Sequence, residues 1–483
     1  MNVLDHLGCD KVFYYFEAIC DIPHGSFHEK ALSDYIVSFA KERGLYCRQD
    51  ERMNVIIKKP GTAGYENSPA LIVQGHIDMV CEKNADTEHD FLTEPLKLYI
   101  DGDDIKARGT TLGADNGIAV AYMLALLDAE DLEHPPLECV FTVEEEIGMG
   151  GATDLDVFDL EGKRLLNMDT EEEGYLMVSC CGGRRMRMYL PVEREAASQD
   201  KKTFVIRIRG LKGGHSGADI HLQRASANVL MGRLLLELRE KLNYDLVKVN
   251  GGNMDNAICR EAEAIVCIDP AKEAEAAALV EEMQKIFWGE YKDRESDILM
   301  TMEETAGAAE VLTAEGRDNI IALLKLLPYG VQTMDTNMEG LVESSSNIGI
   351  VRTEEDHIFI DNAVRGSVES RKDAICKKIE VLGELCGAKV VGVNDYPGWQ
   401  YNPDSELLKI FQEAWVEKFG VEPHVVAIHA GLECGLFAKK ISGLDLISLG
   451  PDMHDVHTPD ERLCISSTAR VWEYLKVVLK KLK

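Results

Sequence analysis

Apolar and polar positions change their rhythm twice along the chain. Up to about residue 185, short apolar runs alternate with helix-period segments. Helix-like spacing over Val12–Cys20 and His28–Arg43 leads into strand-like NVIIKK and ALIVQGH, a helix beginning near Asn116 carries IAVAYMLALLDA, and LECVFTV and RLLNMD read as buried strands. Such βαβ alternation predicts an α/β unit with a mainly parallel sheet covered on both faces.

From about Gly183 to Val393 the strands become half-polar, as in TFVIRIRG, AEAIVCID, DILMTME and HIFIDNAVRG, with amphipathic helices around Ala225–Leu242, Ala271–Gly289 and Arg371–Cys386. This pattern predicts two successive α+β units with antiparallel sheet, the second a diverged copy of the first. After DYPGW the α/β rhythm returns, with a helix at SELLKIFQEAWVEKF, strands at HVVAIH and LDLISLG, and a closing basic helix, STARVWEYLKVVLKKLK. The C-terminal piece is expected to rejoin the first sheet. The expected division is therefore 1–185 plus 396–483 for one α/β domain, and 186–395 for an inserted α+β lid.

Composition narrows the class. A chain of 483 residues, 45% apolar, can bury a large core, and its net charge of −32 argues against nucleic acid or an anionic membrane as partner. No signal peptide and no apolar run long enough to span a bilayer is read in the sequence. The thirteen cysteines are odd in number and form no CxxC pair, which fits reduced thiols in a cytoplasmic protein.

Candidate chemistry lies where the strands end. His76 and Asp78 follow ALIVQG, Asp115 stands in GADNG, Glu145 and Glu146 follow LECVFTV, Asp169 follows RLLNM, and His457 lies in MHDVHTPDE. Imidazole nitrogen and carboxylate oxygen suit zinc-like dications, and the set is large enough for two, which with a shared water form a hydrolytic site. Residues two apart in an extended segment share a face, so Asp78 can orient the His76 ring while the other ring nitrogen binds metal. Each position alone has an ordinary explanation: a helix N-cap at Asp115, an acidic loop at 144–146, a surface histidine at 457.

In combination, HID, GADNG, EEEIG, NMD and HTPDE follow the order of the two-zinc exopeptidase and aminoacylase family, which the chain resembles over nearly its whole length. YPGW, GLECG and GG…NAI are similar to the dipeptidase branch. The resemblance implies that His76, Asp115, Glu146, Asp169 and His457 bind two divalent ions, Zn2+ first and Co2+ or Mn2+ as alternatives. It makes Asp115 the bridging ligand, followed by a cis peptide, and Glu145 the general base. His215, in GGHSG, would stabilise the oxyanion or contact substrate, and Asn256 and Arg365 would hold the substrate's terminal carboxylate. His457 rather than His454 fits the motif, and His429 and Glu433 are taken as pocket wall rather than ligands. Asp255 and Cys259 depart from the family's pattern, which puts substrate detail in question.

The implied activity is zinc-dependent hydrolysis of dipeptides with a free C-terminus, Xaa-His dipeptides among them. A related tripeptidase or N-acyl-amino-acid amidohydrolase is the alternative within the class, and a non-catalytic, metal-dependent peptide-binding protein the alternative outside it. Short-lid relatives often dimerise through the lid, and the internal duplication read here is the alternative to that contact, so a homodimer and a single chain both stand open, with His215 acting within one chain or across a dimer.

Overall fold

A computed structural model describes residues 3–295 and 297–483. The chain divides into two compact units: one runs up to Ser179 and takes in Tyr401–Ala427 and Leu432–Lys483, the other holds Cys180–Gln400 and Ile428–Gly431. The division falls a few residues from the expected borders. Cys180 and Trp399 exchange two backbone hydrogen bonds, and Cys181 donates to the Ala430 carbonyl, which draws YPGW and the residues around His429 into the second unit.

The first unit is built on an eight-stranded sheet in the order Tyr46–Gln49, Val55–Lys59, Leu137–Thr142, Leu71–His76, Arg164–Asn167, Asp445–Ser448, Tyr175–Cys180, His424–Ile428. Leu137–Thr142, Leu71–His76, Arg164–Asn167 and Asp445–Ser448 run parallel. Antiparallel pairs flank them, so the sheet is mixed with a parallel centre. Leu71–His76 and Leu137–Thr142 are buried at every position, which is why they read as unbroken apolar runs rather than alternating ones. The helix Ala114–Asp128 is buried at nearly every residue beyond Asp115, matching its all-round apolar sequence.

The second unit is built on a nine-stranded sheet, antiparallel throughout, with a separate two-stranded pair of Arg194–Ala196 and Glu310–Leu312. Lys202–Arg209, Asp245–Gly251, Ala262–Ile268 and Leu299–Glu304, with helices Ala227–Lys241 and Glu273–Tyr291, form a βαββαβ unit in the strand order 4-1-3-2. Gly182–Pro191, Val342–Thr353, His357–Gly366 and Lys389–Tyr396, with helices Ala314–Leu326 and Glu369–Leu385, repeat the same connectivity and order. The two copies are therefore nested and not successive, because the first strand of the outer copy precedes the whole inner one. Their second strands meet edge to edge at Gly251 and Val351. Asn228 fastens this seam by donating to the carbonyls of Gly251 and Ile348. The helix Ala314–Leu326 was not expected; Thr313 caps it by accepting from the Gly316 N–H.

Candidate functional site

Three neighbouring parallel strands of the first unit end close together, His76 opposite Thr142, and Asn167 opposite Gln74 two residues earlier. The residues just beyond those ends are Asp78, Glu144 to Glu146, and Asp169, so parallel pairing collects them at one rim. His76 is buried, with Nδ1 3.0 Å from the Asp78 carbonyl and 3.3 Å from its carboxylate, and Nε2 3.2 Å from Asp115 Oδ1 and 3.5 Å from Asp169 Oδ1. His457 brings Nε2 to 3.1 Å from Asp115 Oδ2 and 3.0 Å from Glu146 Oε1. The two oxygens of Asp115 thus face two imidazoles that lie far apart in sequence. Ligand atoms of His76, Asp115 and Glu146 all lie within 4.8 Å of one another. The Asp115–Asn116 peptide is cis.

Asp78 does more than face His76. Its carboxylate accepts from Ser26 Oγ at 2.9 Å and from the backbone N–H groups of Glu145 at 3.0 Å and Glu146 at 3.2 Å, fixing the turn that presents both glutamates. Burial raises its pKa, but His76 and these donors outweigh burial and hold it below the usual carboxylate range. Glu145 goes the other way. Burial, opposed by His76 and aided by Asp169, Glu433 and Glu146, pushes it well above that range. Burial likewise takes Asp169 up to about 7, and hydrogen bonds to Asp115 and Glu146 take His457 up to about 11.

Asp78, Asp115, Glu145, Glu146 and Asp169 are five carboxylates facing two imidazoles. That excess of buried negative charge requires cations or protons, and in the structure the histidines carry part of it as hydrogen-bond donors. The donor set of nitrogen and oxygen fits zinc-like divalent ions.

Two other carboxylates support the rim. Glu461, 2% exposed, accepts four backbone N–H bonds, from Leu112 at 2.7 Å, Gly113 at 3.0 Å, Ala114 at 2.8 Å and Asp115 at 3.3 Å, tying the loop of His457 to the loop of Asp115. Glu433, fully buried, accepts from Gln74 Nε2 at 2.6 Å and Thr142 Oγ1 at 2.8 Å, and Gln74 Oε1 in turn accepts from Asn167 at 2.8 Å, so one polar chain crosses all three strand ends. Burial raises Glu433 to about 7. Sequence reasoning missed Glu461 and gave Glu433 only a wall's role. The one available signal for Glu461 was an acid four residues past His457. His454 is exposed and bridges to Arg462, away from these contacts.

In the second unit, His215 and Asn256 come from two loops that bridge to each other, and Arg365 comes from the strand His357–Gly366. Ser216 N–H donates to the Asn256 carbonyl at 2.8 Å, and His215 pairs with Ala257. His215 Nδ1 accepts from the N–H groups of Ala218 at 3.0 Å and Gly217 at 3.3 Å, which leaves the proton on Nε2. That Nε2–H lies 3.5 Å from Arg365 Nη2, another donor. Two donors make no bond with each other; they converge where one acceptor oxygen would serve both. Arg365 is 4% exposed, its Nε is unpartnered, and among the described residues no carboxylate pairs with it. Burial and then the Arg365 charge lower the pKa of His215 and, to about 3, that of His429, whose Nε2 lies 2.7 Å from Ser345 Oγ.

The sequence profile of peptidase family M20/M25/M40 matches residues 72–481. The chain belongs to this family. It is 40% identical over 482 residues to the cytosol non-specific dipeptidase of Escherichia coli strain K12, covering 100% of this chain and 99% of that protein. The crystal structure of aminoacylhistidine dipeptidase from Vibrio alginolyticus matches with a TM-score of 0.94 at 39% identity, covering 98% of this chain and 96% of that one. Aminopeptidase PepT from Bacillus cereus, 15% identical with a TM-score of 0.57 over 99% of both chains, shares the fold. This M20/M25/M40 peptidase is therefore a hydrolase of peptide bonds, of the fold that the motif order implied.

Proposed function

We propose that the chain is a metal-dependent dipeptidase that cleaves dipeptides with a free C-terminus, Xaa-His dipeptides among them. The observation that carries the reading is Asp115, with one carboxylate oxygen toward His76 and the other toward His457. That is the arrangement a bridging carboxylate needs between two cations. His76, Asp115, Glu146, Asp169 and His457 would hold the two ions, Zn2+ fitting the donors best and Co2+ or Mn2+ also compatible. When bound, such ions supply Lewis acidity and lower the pKa of a shared water.

The chain's own residues do the rest. Asp78 orients the His76 ring and the Glu145–Glu146 turn. Glu145 takes the water's proton and delivers it to the leaving amine. The Nε2–H of His215 donates to the oxyanion. Arg365, a buried cation lacking an anionic partner among the described residues, receives the substrate's carboxylate with Asn256. The names of the two nearly full-length relatives support dipeptides as substrate, and the cytosolic placement of the first supports the same compartment here. No disulfide joins the thirteen cysteines, and no helix among the described residues is long and apolar enough to cross a membrane.

A hydrolysis panel tests the reading. Xaa-His and other dipeptides should be cleaved, with dipeptide amides, tripeptides and N-acyl amino acids much poorer. Preference for tripeptides or acyl substrates would move the chain to its alternatives, and tight peptide binding without turnover would make it a binding protein.

A further inference from the structure

Arg365, Gly183 and Tyr396 form a row across three adjacent strands. Arg365 of His357–Gly366 pairs with Gly183, and on the other side of Gly183 the partner is Tyr396. Tyr396 reaches that place through a slip in register. Lys389–Tyr396 stays in step with Gly182–Pro191 from Lys389 opposite Tyr189 to Val393 opposite Arg185, then shifts by one residue. Asn394 absorbs the shift at φ +52°. A one-residue slip exchanges the faces, so Tyr396 occupies the position Asp395 would otherwise take.

The ring then needs space, and glycine provides it on both sides. A Cβ at Gly183 would lie 2.5 Å from Tyr396 Oη, and one at Gly431 would lie 2.7 Å from its Cε2. Strands two apart are separated by about 10 Å, within reach of a tyrosine laid across a glycine. Lys372, fully buried, pins the bulge by donating to the Asp395 carboxylate and to the Tyr396 carbonyl, each at 2.8 Å. The result is a hydroxyl that accepts from Arg365 Nη1 at 3.3 Å. Having accepted there, it keeps its own proton for an acceptor on a ligand. Burial raises the Tyr396 pKa, so that proton is retained at neutral pH.

We propose that Tyr396 is a substrate-binding residue whose hydroxyl donates, beside Arg365, to the C-terminal carboxylate of the peptide. This rests on the dipeptidase reading. Arg365 supplies charge, and Tyr396 supplies direction by holding one guanidinium N–H and facing the same anion.

The test compares Tyr396→Phe with the wild-type, metal-loaded protein on Ala-His and on its C-terminal amide. The expected result is a KM for Ala-His raised about tenfold, as for one lost hydrogen bond to a charged group, with kcat within about twofold. On the amide, whose carbonyl accepts without a charge, the loss should be clearly smaller, about threefold or less. Gly431→Ala, which pushes on the ring from behind, should raise the same KM without a matching effect on the amide. An equal loss on both substrates, or a loss in kcat alone, would overturn the role of Tyr396 while leaving the dipeptidase reading in place. Failure of the wild-type protein to distinguish Ala-His from its amide would remove both.

Discussion

Asp78 and Glu145 are both buried acids at the same rim, and their surroundings push them in opposite directions. Asp78 accepts one side-chain and two backbone donors and stays ionised. Glu145 sits among other carboxylates and gains proton affinity. Such a divergence separates an orienting carboxylate from one that exchanges protons. Glu145→Gln should lower kcat by about 10²–10⁴-fold with KM and metal content unchanged; steady-state kinetics alongside metal analysis checks this, and unimpaired turnover would contradict it. His429 carries a second expectation. Its pKa is about 3 in the fold against 6.5 for an ordinary histidine. Below about pH 6.5 the unfolded chain binds a proton that the folded chain refuses, so stability falls as pH is lowered, by about 1.4 kcal/mol per unit, until the folded value is reached. Urea unfolding at pH 7.5 and pH 5 should show His429→Gln losing less stability than the wild type over that interval.

At the scale of elements, the site is held by strand ends and by carboxylates that tie loops to them. Leu71–His76 and Leu137–Thr142 were legible because a strand buried on both faces is an apolar run, and the acids and histidine at its end stand out against it. Glu461 was not legible, since a carboxylate that accepts backbone N–H groups leaves no periodic trace. Removing it by Glu461→Ala orphans four buried donors. Unfolding of the metal-free protein should show a loss on the order of 3–5 kcal/mol, as for a broken buried network. Gly217 lies in the loop that presents His215. A Cβ there would come within 2.3 Å of the His429 carbonyl oxygen, 3.1 Å of His215 Cε1 and 3.2 Å of Arg365 Nε. Gly217→Ala should therefore raise KM for dipeptides about tenfold or more while leaving metal content intact; an unchanged KM would show that the cluster does not bind substrate. The strand Gly182–Pro191 went unread because its apolar alternation is short, Met186, Met188 and Leu190 only, and follows two glycines and two arginines.

For the whole molecule, the sequence shows the change from α/β to α+β character and the return, but not how the middle is wound. Which strand pairs with which is decided at long range, so the nesting of one βαββαβ copy within the other is not visible in any local segment. The nesting matters for function. It gathers His215 and Asn256 from the inner copy and Arg365 from the outer one within a single chain, so these residues need no second subunit to meet. In the first unit, the rim of acids recruits His457 from beyond the second unit, close to the far end of the chain. On the proposed reading, dipeptide hydrolysis depends on two ions held at Asp115. Titrating chelator-treated protein with Zn2+ tests it most directly, following bound metal and Ala-His hydrolysis together. The expected result is activity that is absent without metal, returns with loading and reaches its plateau at two ions per chain, while Asp115→Ala neither binds the pair nor turns over. Full hydrolysis by the metal-free protein, or by Asp115→Ala, would contradict the account.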